Sequence, residues 1–102
     1  MSEEYYTLAP WRVRKGKQDE FVDAWRSLGD SFLSLPNPPG KGTLIQSLDD
    51  PQQFYSFGPW SSLEDIEAMR SNPHAQTAMK RLQDLCESAK PSTFRLILTL
   101  GE

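Results

Sequence analysis

The chain has 102 residues, 37% of them hydrophobic and 25% charged, with a formal net charge of −3. That length suits one small domain, expected over residues 1–102, and the composition excludes a disordered, collagen-like or low-complexity chain. The acidic balance and scattered basic residues leave no basic face for nucleic acid; the run from Arg12 to Lys17 meets Asp19 and Glu20 at once and reads as a solvated turn.

Residues 4–14 alternate as a strand, with Tyr5, Thr7, Ala9, Trp11 and Val13 on one face and Tyr6, Leu8, Pro10 and Arg12 on the other. Pro10 lacks a ladder donor and predicts a bulge or an unpaired edge. A helix is expected from Lys17 to Leu35, because Phe21, Trp25, Leu28, Phe32 and Leu35 recur every three or four residues. Pro36 stops it. Gly42–Leu48 and Gln53–Trp60 read as an antiparallel hairpin turned at Asp49-Asp50-Pro51. Ser61 and Glu64 fit a capping box for a short helix to about Arg70. Asn72 then caps a second helix with Pro73 in its first position. Its stripe of Ala75, Ala78/Met79, Leu82, Leu85/Cys86 and Ala89 carries it to Pro91. A last strand is expected over Thr93–Leu100.

The order β-α-β-β-α-β predicts an α+β, ferredoxin-like fold: a four-stranded antiparallel sheet with both helices on one face. The other face cannot be wholly polar, since Phe54-Tyr-Ser-Phe-Gly-Pro-Trp60 is apolar on both sides. A second copy of the chain is expected to cover it, giving a homodimer through the sheet faces. The N-terminus shows neither a basic nor an apolar leader region, and no apolar run approaches the ~18 residues that span a bilayer. A cytoplasmic protein with no membrane partner is expected, in keeping with the single Cys86. One His and one Cys exclude the usual zinc sites. No GxGxxG, GxxxxGK[ST] or GxSxG occurs, so no bound metal or nucleotide cofactor is expected.

The stretch from Phe54 through Trp60-Ser-Ser-Leu-Glu-Asp-Ile66, and then Met69-Arg-Ser-Asn-Pro73-His74, resembles the antibiotic biosynthesis monooxygenase domain. The turn Arg14-Lys-Gly-Lys with Glu20-Phe21 is similar to that family's first strand-to-helix junction. The resemblance runs from about Thr7 to Leu100. It implies a dimeric α+β barrel and an activity among cofactor-independent oxygenases of anthrones and quinols, haem-degrading enzymes and proteins of unknown role. The haem-degrading branch carries an Asn on the first strand, a Trp in the short helix and a His ligand in the long one. Here the first strand has no Asn, and the other two positions fall at about Met69 and Met79, so the resemblance implies no haem site. The quinol-oxygenase branch is similar at Trp60.

Oxygenation without a cofactor needs an acidic aromatic substrate, an apolar slot, and one or two donors for the oxyanion. The candidate catalytic residues are Trp60, His74, Tyr55 and Arg95; the candidate substrate-binding residues are Trp11, Tyr6, Met69 and Met79. Trp60 can wall the slot and donate its indole N–H, or serve as a core or interface ring. Tyr55 and Tyr6 can donate, or pack with their hydroxyls in solvent. His74 lies in a first helical turn, where the dipole disfavours the imidazolium, which suits a base; it can equally be an exposed residue. Arg95 can hold a phenolate or pair with a carboxylate across the dimer. Trp11 belongs to pocket or interface, and Met69 and Met79 fill core gaps or line the pocket. The leading expectation is a cofactor-independent monooxygenase of an aromatic or quinol-like small molecule. The alternatives are a non-redox isomerase or cyclase in the same barrel, or a small-molecule-binding protein without turnover.

Overall fold

The computed structural model of the protein describes residues 4–101. The elements run β1 (Tyr5–Val13), α1 (Gln18–Phe32), β2 (Thr43–Gln46), β3 (Gln53–Trp60), α2 (Leu63–Ser71), α3 (Pro73–Asp84), β4 (Cys86–Ala89) and β5 (Ser92–Arg95). β3 lies antiparallel to β1, from Trp60 opposite Tyr5 to Gln53 opposite Arg12, and β2 pairs with the far edge of β3. β4 and β5 both pair antiparallel with the other edge of β1, at Trp11–Val13 and Tyr5–Leu8. The fold is α+β and ferredoxin-like as expected, but the antiparallel sheet has five strands where four were expected, because β4 and β5 share one edge of β1.

Three boundaries differ from those read in the sequence. The last helix stops at Asp84 rather than running to Ala89. The Leu85 N–H turns back to the carbonyls of Arg81 and Leu82, while the Leu85 carbonyl accepts from the Arg14 N–H at 2.9 Å. Cys86 then sits opposite Val13 and begins β4. Leu82, Leu85 and Cys86 suit a helix face or a strand start equally, and pairing with β1 decides between them. A strand thus precedes Pro91 where a helix was expected, and the last strand, expected over Thr93–Leu100, is confined to Ser92–Arg95. Trp11 pairs with Ala89 and Leu8 with Ser92, so Pro10 faces Lys90-Pro91 between the two strands. The Lys90 N–H donates to the Pro10 carbonyl at 3.4 Å, but Pro10 has no N–H to return the bond, and the ladder lapses there. Pro91 lies between two strands instead of ending a helix, the edge of β1 lacks a ladder pair at Pro10 as one of the two expectations had it, and a bulge occurs between Arg12 and Val13. Beyond β5, the Leu96 N–H donates to the Glu4 carbonyl at 2.9 Å, and Ile97, Leu98 and Leu100 are exposed. Finally, α1 ends at Phe32, with Leu33 to Leu35 following as single turns, and Leu35 is still buried.

The caps hold the helix starts. Ser62, not Ser61, is the N-cap of α2, its hydroxyl accepting from the Asp65 N–H at 3.1 Å. The Asn72 side chain accepts from the N–H groups of His74 and Ala75, and Pro73 opens α3.

The inward face of the sheet presents Ala9, Trp11, Val13, Phe54 and Trp60 to Phe21, Ala24 and Leu28 of α1, Ile66 and Met69 of α2, and Ala75 and Leu82 of α3. Ring contacts tie the layers: Trp11 to Phe21 at 5.5 Å, Phe21 to Phe54 at 5.1 Å, and the edge of Phe32 to Trp60 at 5.5 Å. Each such ring gives about 1.5–3 kcal/mol on burial. The outward face, by contrast, carries Tyr6, Leu8, Ile45, Tyr55, Phe57 and Phe94, with Tyr55 41% and Phe94 49% exposed. No helix covers it. Among the described residues no helix is long and apolar enough to cross a membrane.

Candidate active site

Between the inward sheet face and the helices lies a cavity of about 660 Å³, within the range of small-molecule sites. Its position follows from side-chain size. Thr7, Ser56 and Gly58 put small groups on the β1–β3 pair between the bulky Trp11 and Trp60. Trp25, Leu28 and Phe32 wall the cavity from α1, Met69 from α2, and Ala75 and Met79 from α3. Gly58 has no side chain for a physical reason: a Cβ there would meet the Gly42 Cα at 3.2 Å. The exposed Arg26, Asp30 and Lys80 line its rim between α1 and α3.

Two indole–hydroxyl bonds form the polar part of the floor. The Trp11 Nε1–H donates to Ser56 Oγ at 2.8 Å, and the Trp60 Nε1–H donates to Thr7 Oγ1 at 3.0 Å. Trp11 and Trp60 are 1% and 3% exposed, so each N–H needs a partner. Arg70, at the C-terminal turn of α2, reaches over β5 and donates to Thr93 Oγ1 at 2.8 Å. Thr93 is the cross-strand partner of Thr7, which brings the guanidinium to the same end of the cavity.

The structure brings Trp60, Trp11, Met69 and Met79 together as cavity walls. It gathers neither of the two tyrosines, nor His74, nor Arg95 there. Tyr55 and Tyr6 alternate onto the outward sheet face, Tyr6 opposite Pro59 and Phe94. His74 is exposed in the first turn of α3, where its backbone N–H donates to Asn72. Arg95 is exposed beside Tyr5 at the end of β5. The indole of Trp60 also differs from expectation, because Thr7 takes its one N–H. Sequence reasoning missed Thr7, Ser56 and Arg70. Strand parity marks Thr7 and Ser56 as inward-facing, but nothing in the sequence shows that each meets a tryptophan.

Among the described residues no three His, Cys, Asp or Glu side chains converge as a metal site. The buried Cys86 thiol is pushed up to about 11 by desolvation, the Arg14 charge opposing weakly. At the far end of the β1–β3 ladder Arg12 is paired with Asp50. The hydrogen bond and charge of Arg12 hold that carboxyl below its ordinary range.

The family model described as antibiotic biosynthesis monooxygenase matches residues 5–81. SnoaB, a cofactor-independent oxygenase from Streptomyces nogalater, superposes with a TM-score of 0.88 at 18% identity, over 99% of this chain and 100% of that one. A protein from Nitrosomonas europaea, described as a candidate antibiotic biosynthesis monooxygenase, superposes at 0.81 with 22% identity, over 99% of this chain and 97% of that one. A Bacteroides thetaiotaomicron protein of unknown function, described as a possible oxidoreductase, superposes at 0.80 with 17% identity, over 94% of this chain and 100% of that one. No curated protein matches the sequence.

Proposed function

The chain belongs to the antibiotic biosynthesis monooxygenase family, and on that premise we propose that it oxygenates a fused-ring phenol, an anthrone or a reduced quinone, without a cofactor, in the cavity between sheet and helices. The observation that carries this reading is the cavity itself: about 660 Å³, walled by Trp11, Trp60, Phe32, Met69 and Met79, with its polar groups confined to the floor and rim. A flat aromatic ligand fits such a slot, and SnoaB, of the same fold, is a cofactor-independent oxygenase.

The reaction balances with dioxygen alone. In anthrone the ring methylene, acidified by the ketone conjugated with it through the ring, loses a proton to leave an enolate whose charge sits on the carbonyl oxygen, and this anion passes one electron to O₂. Radical and superoxide recombine at the carbon to form a C–O bond, and the peroxide takes up a proton. Loss of the second C–H proton with cleavage of O–O then gives the ketone and one water. The substrate supplies all the electrons. Asp30 is the one carboxylate among the described residues lining the cavity, and it is exposed at the rim. The first proton therefore leaves toward solvent, and the protein contributes by stabilising the anion. His74, Tyr55 and Arg95, outside the cavity, have no part in this scheme.

Oxygen uptake with anthrone tests the proposal. Expected is one O₂ consumed per anthrone faster than in buffer, one ¹⁸O in the product from ¹⁸O₂, and loss of the acceleration in Met79→Trp, which fills the slot. Uptake at the buffer rate refutes it. Product formed under argon would favour the isomerase or cyclase reading instead.

We further propose that a second copy of the chain covers the outward sheet face, where Ile45, Tyr55 and Phe94 are each more than two-fifths exposed. Left in water they would expose apolar surface of the kind that marks an interaction face. Sedimentation equilibrium at micromolar concentration is expected to give a dimer; a monomer would refute this part.

A further inference from the structure

We infer that the hydroxyls of Thr7 and Ser56 are the paired donors that hold the oxyanion of a deprotonated phenol or enol in the cavity. This rests on the reading of that cavity as a site for an acidic aromatic ligand. The argument begins with the indoles. An indole N–H only donates, so a hydroxyl bonded to it must accept. Ser56 Oγ accepts from Trp11 and Thr7 Oγ1 accepts from Trp60. Each hydroxyl keeps its own proton, and among the described residues neither donates it to the protein. The two tryptophans thus orient both hydroxyls as donors, where a free hydroxyl would rotate between roles.

The register places the two side by side. Thr7 is opposite Gly58 and Ser56 is opposite Ala9, so the pair is diagonal on one face of adjacent strands, with Cβ atoms about 7 Å apart. One oxyanion between them can accept from both at the short distances of charged hydrogen bonds. At Gly58, opposite Thr7, no side chain is present and the Gly42 backbone packs there, while both Thr7 and Ser56 line the cavity. The potential has the right sign: Arg70 bonds Thr93, the cross-strand partner of Thr7. The charged groups facing the cavity are Arg26 and Asp30 of α1, Arg70 of α2 and Lys80 of α3, three cations to one anion among the described residues. Arg26 is also paired with Asp23 at 3.2 Å. The strands contribute no charge to the wall, so the hydroxyls are the groups within the cavity floor that discriminate anion from neutral phenol.

The test uses 7-hydroxycoumarin, a bicyclic phenol whose neutral and anionic forms absorb at different wavelengths and which does not consume oxygen. Bound to the protein, it is expected to ionise at least about one pH unit below the free dye, the size of one hydrogen bond to a charged group. Thr7→Val and Ser56→Ala are each expected to return half or more of that shift, and Thr7→Ser to retain it. Retention in Thr7→Ser distinguishes donation from packing, and near-ultraviolet circular dichroism verifies the fold of each variant. Dye that does not bind, or that ionises in wild type as it does free, overturns the inference; so does an undiminished shift in both Thr7→Val and Ser56→Ala. Anthrone oxidation reports separately on the oxygenase reading. A hydroxyl-dependent shift without oxygen uptake would sink that reading alone, and uptake without the shift would sink this inference alone.

Discussion

Truncating Leu82 and Met79, three residues apart on α3, separates a closed core from a cavity wall. Leu82 is fully buried and lies outside the cavity lining. Leu82→Ala removes three buried carbons, about 2.4 kcal/mol at ~0.8 kcal/mol per methylene, and leaves a void between α3 and the sheet that adds to the cost. A total of about 3–4 kcal/mol follows. Met79 also ends in three heavy atoms beyond Cβ, but it is half-buried and already borders about 660 Å³ of open space. Met79→Ala enlarges an existing cavity and creates no new enclosed one, so about 1–1.5 kcal/mol is expected. Urea unfolding followed by circular dichroism reads both. With a slope of about 1–1.5 kcal/mol per molar, the midpoint should fall by about 2–4 M for Leu82→Ala and by about 1 M for Met79→Ala. Equal losses would mean that Met79 is enclosed and the cavity is filled. A Leu82→Ala loss below about 1.5 kcal/mol would mean that α3 is not packed as described.

Gly29 lies within α1, and a Cβ there would meet nothing within 4 Å; Gly29→Ala should therefore stabilise by about 0.5–1 kcal/mol, a gain of about 3–6 °C in the melting temperature. Asn72→Ala removes the side-chain acceptor of two N–H groups at the start of α3 and should cost about 1 kcal/mol, read by the same urea curves, with Asn72→Ser restoring most of it. For Cys86, burial disfavours the thiolate and pushes the thiol up to about 11, whereas in the unfolded chain it ionises near 8.5. The folded state binds that proton more tightly, so this stabilisation is complete below about pH 8.5 and is lost as pH rises toward about 11. At pH 8, iodoacetamide should label native protein on the order of a hundredfold more slowly than protein in urea, measured by mass spectrometry.

How much of this was legible in the sequence depends on the range of the interaction involved. Alternation in β1 and β3, the three-to-four spacing of Phe21, Trp25, Leu28 and Phe32, the Asn72-Pro73 cap and the punctuation by Pro36 are local signals. They determined the element order as far as α3, the inward and outward faces of β1 and β3, and hence the fold class. The end of α3 was not local, because Leu82, Leu85 and Cys86 fit either periodicity until Cys86 pairs with Val13, 73 residues earlier in the chain. The lapse between β4 and β5 likewise needed Pro10 to meet Lys90, 80 residues later in the chain. The site divided in the same way. Large apolar residues on inward positions, Trp11, Trp60, Met69 and Met79, fell on the cavity because parity and helix face place them there. His74, Tyr55, Tyr6 and Arg95 were chosen for their chemistry. Tyr55 and Tyr6 are sent to the outward face by strand parity and His74 to solvent by its helix face, while Arg95, of inward parity opposite Tyr5, lies at the exposed end of β5 beyond the cavity. The partners of the two indoles lie 45 and 53 residues away. Only the β1–β3 register sets Ser56 beside Trp11 and Thr7 beside Trp60, because hydrogen bonding acts over about 3 Å and sequence separation carries no information at that range.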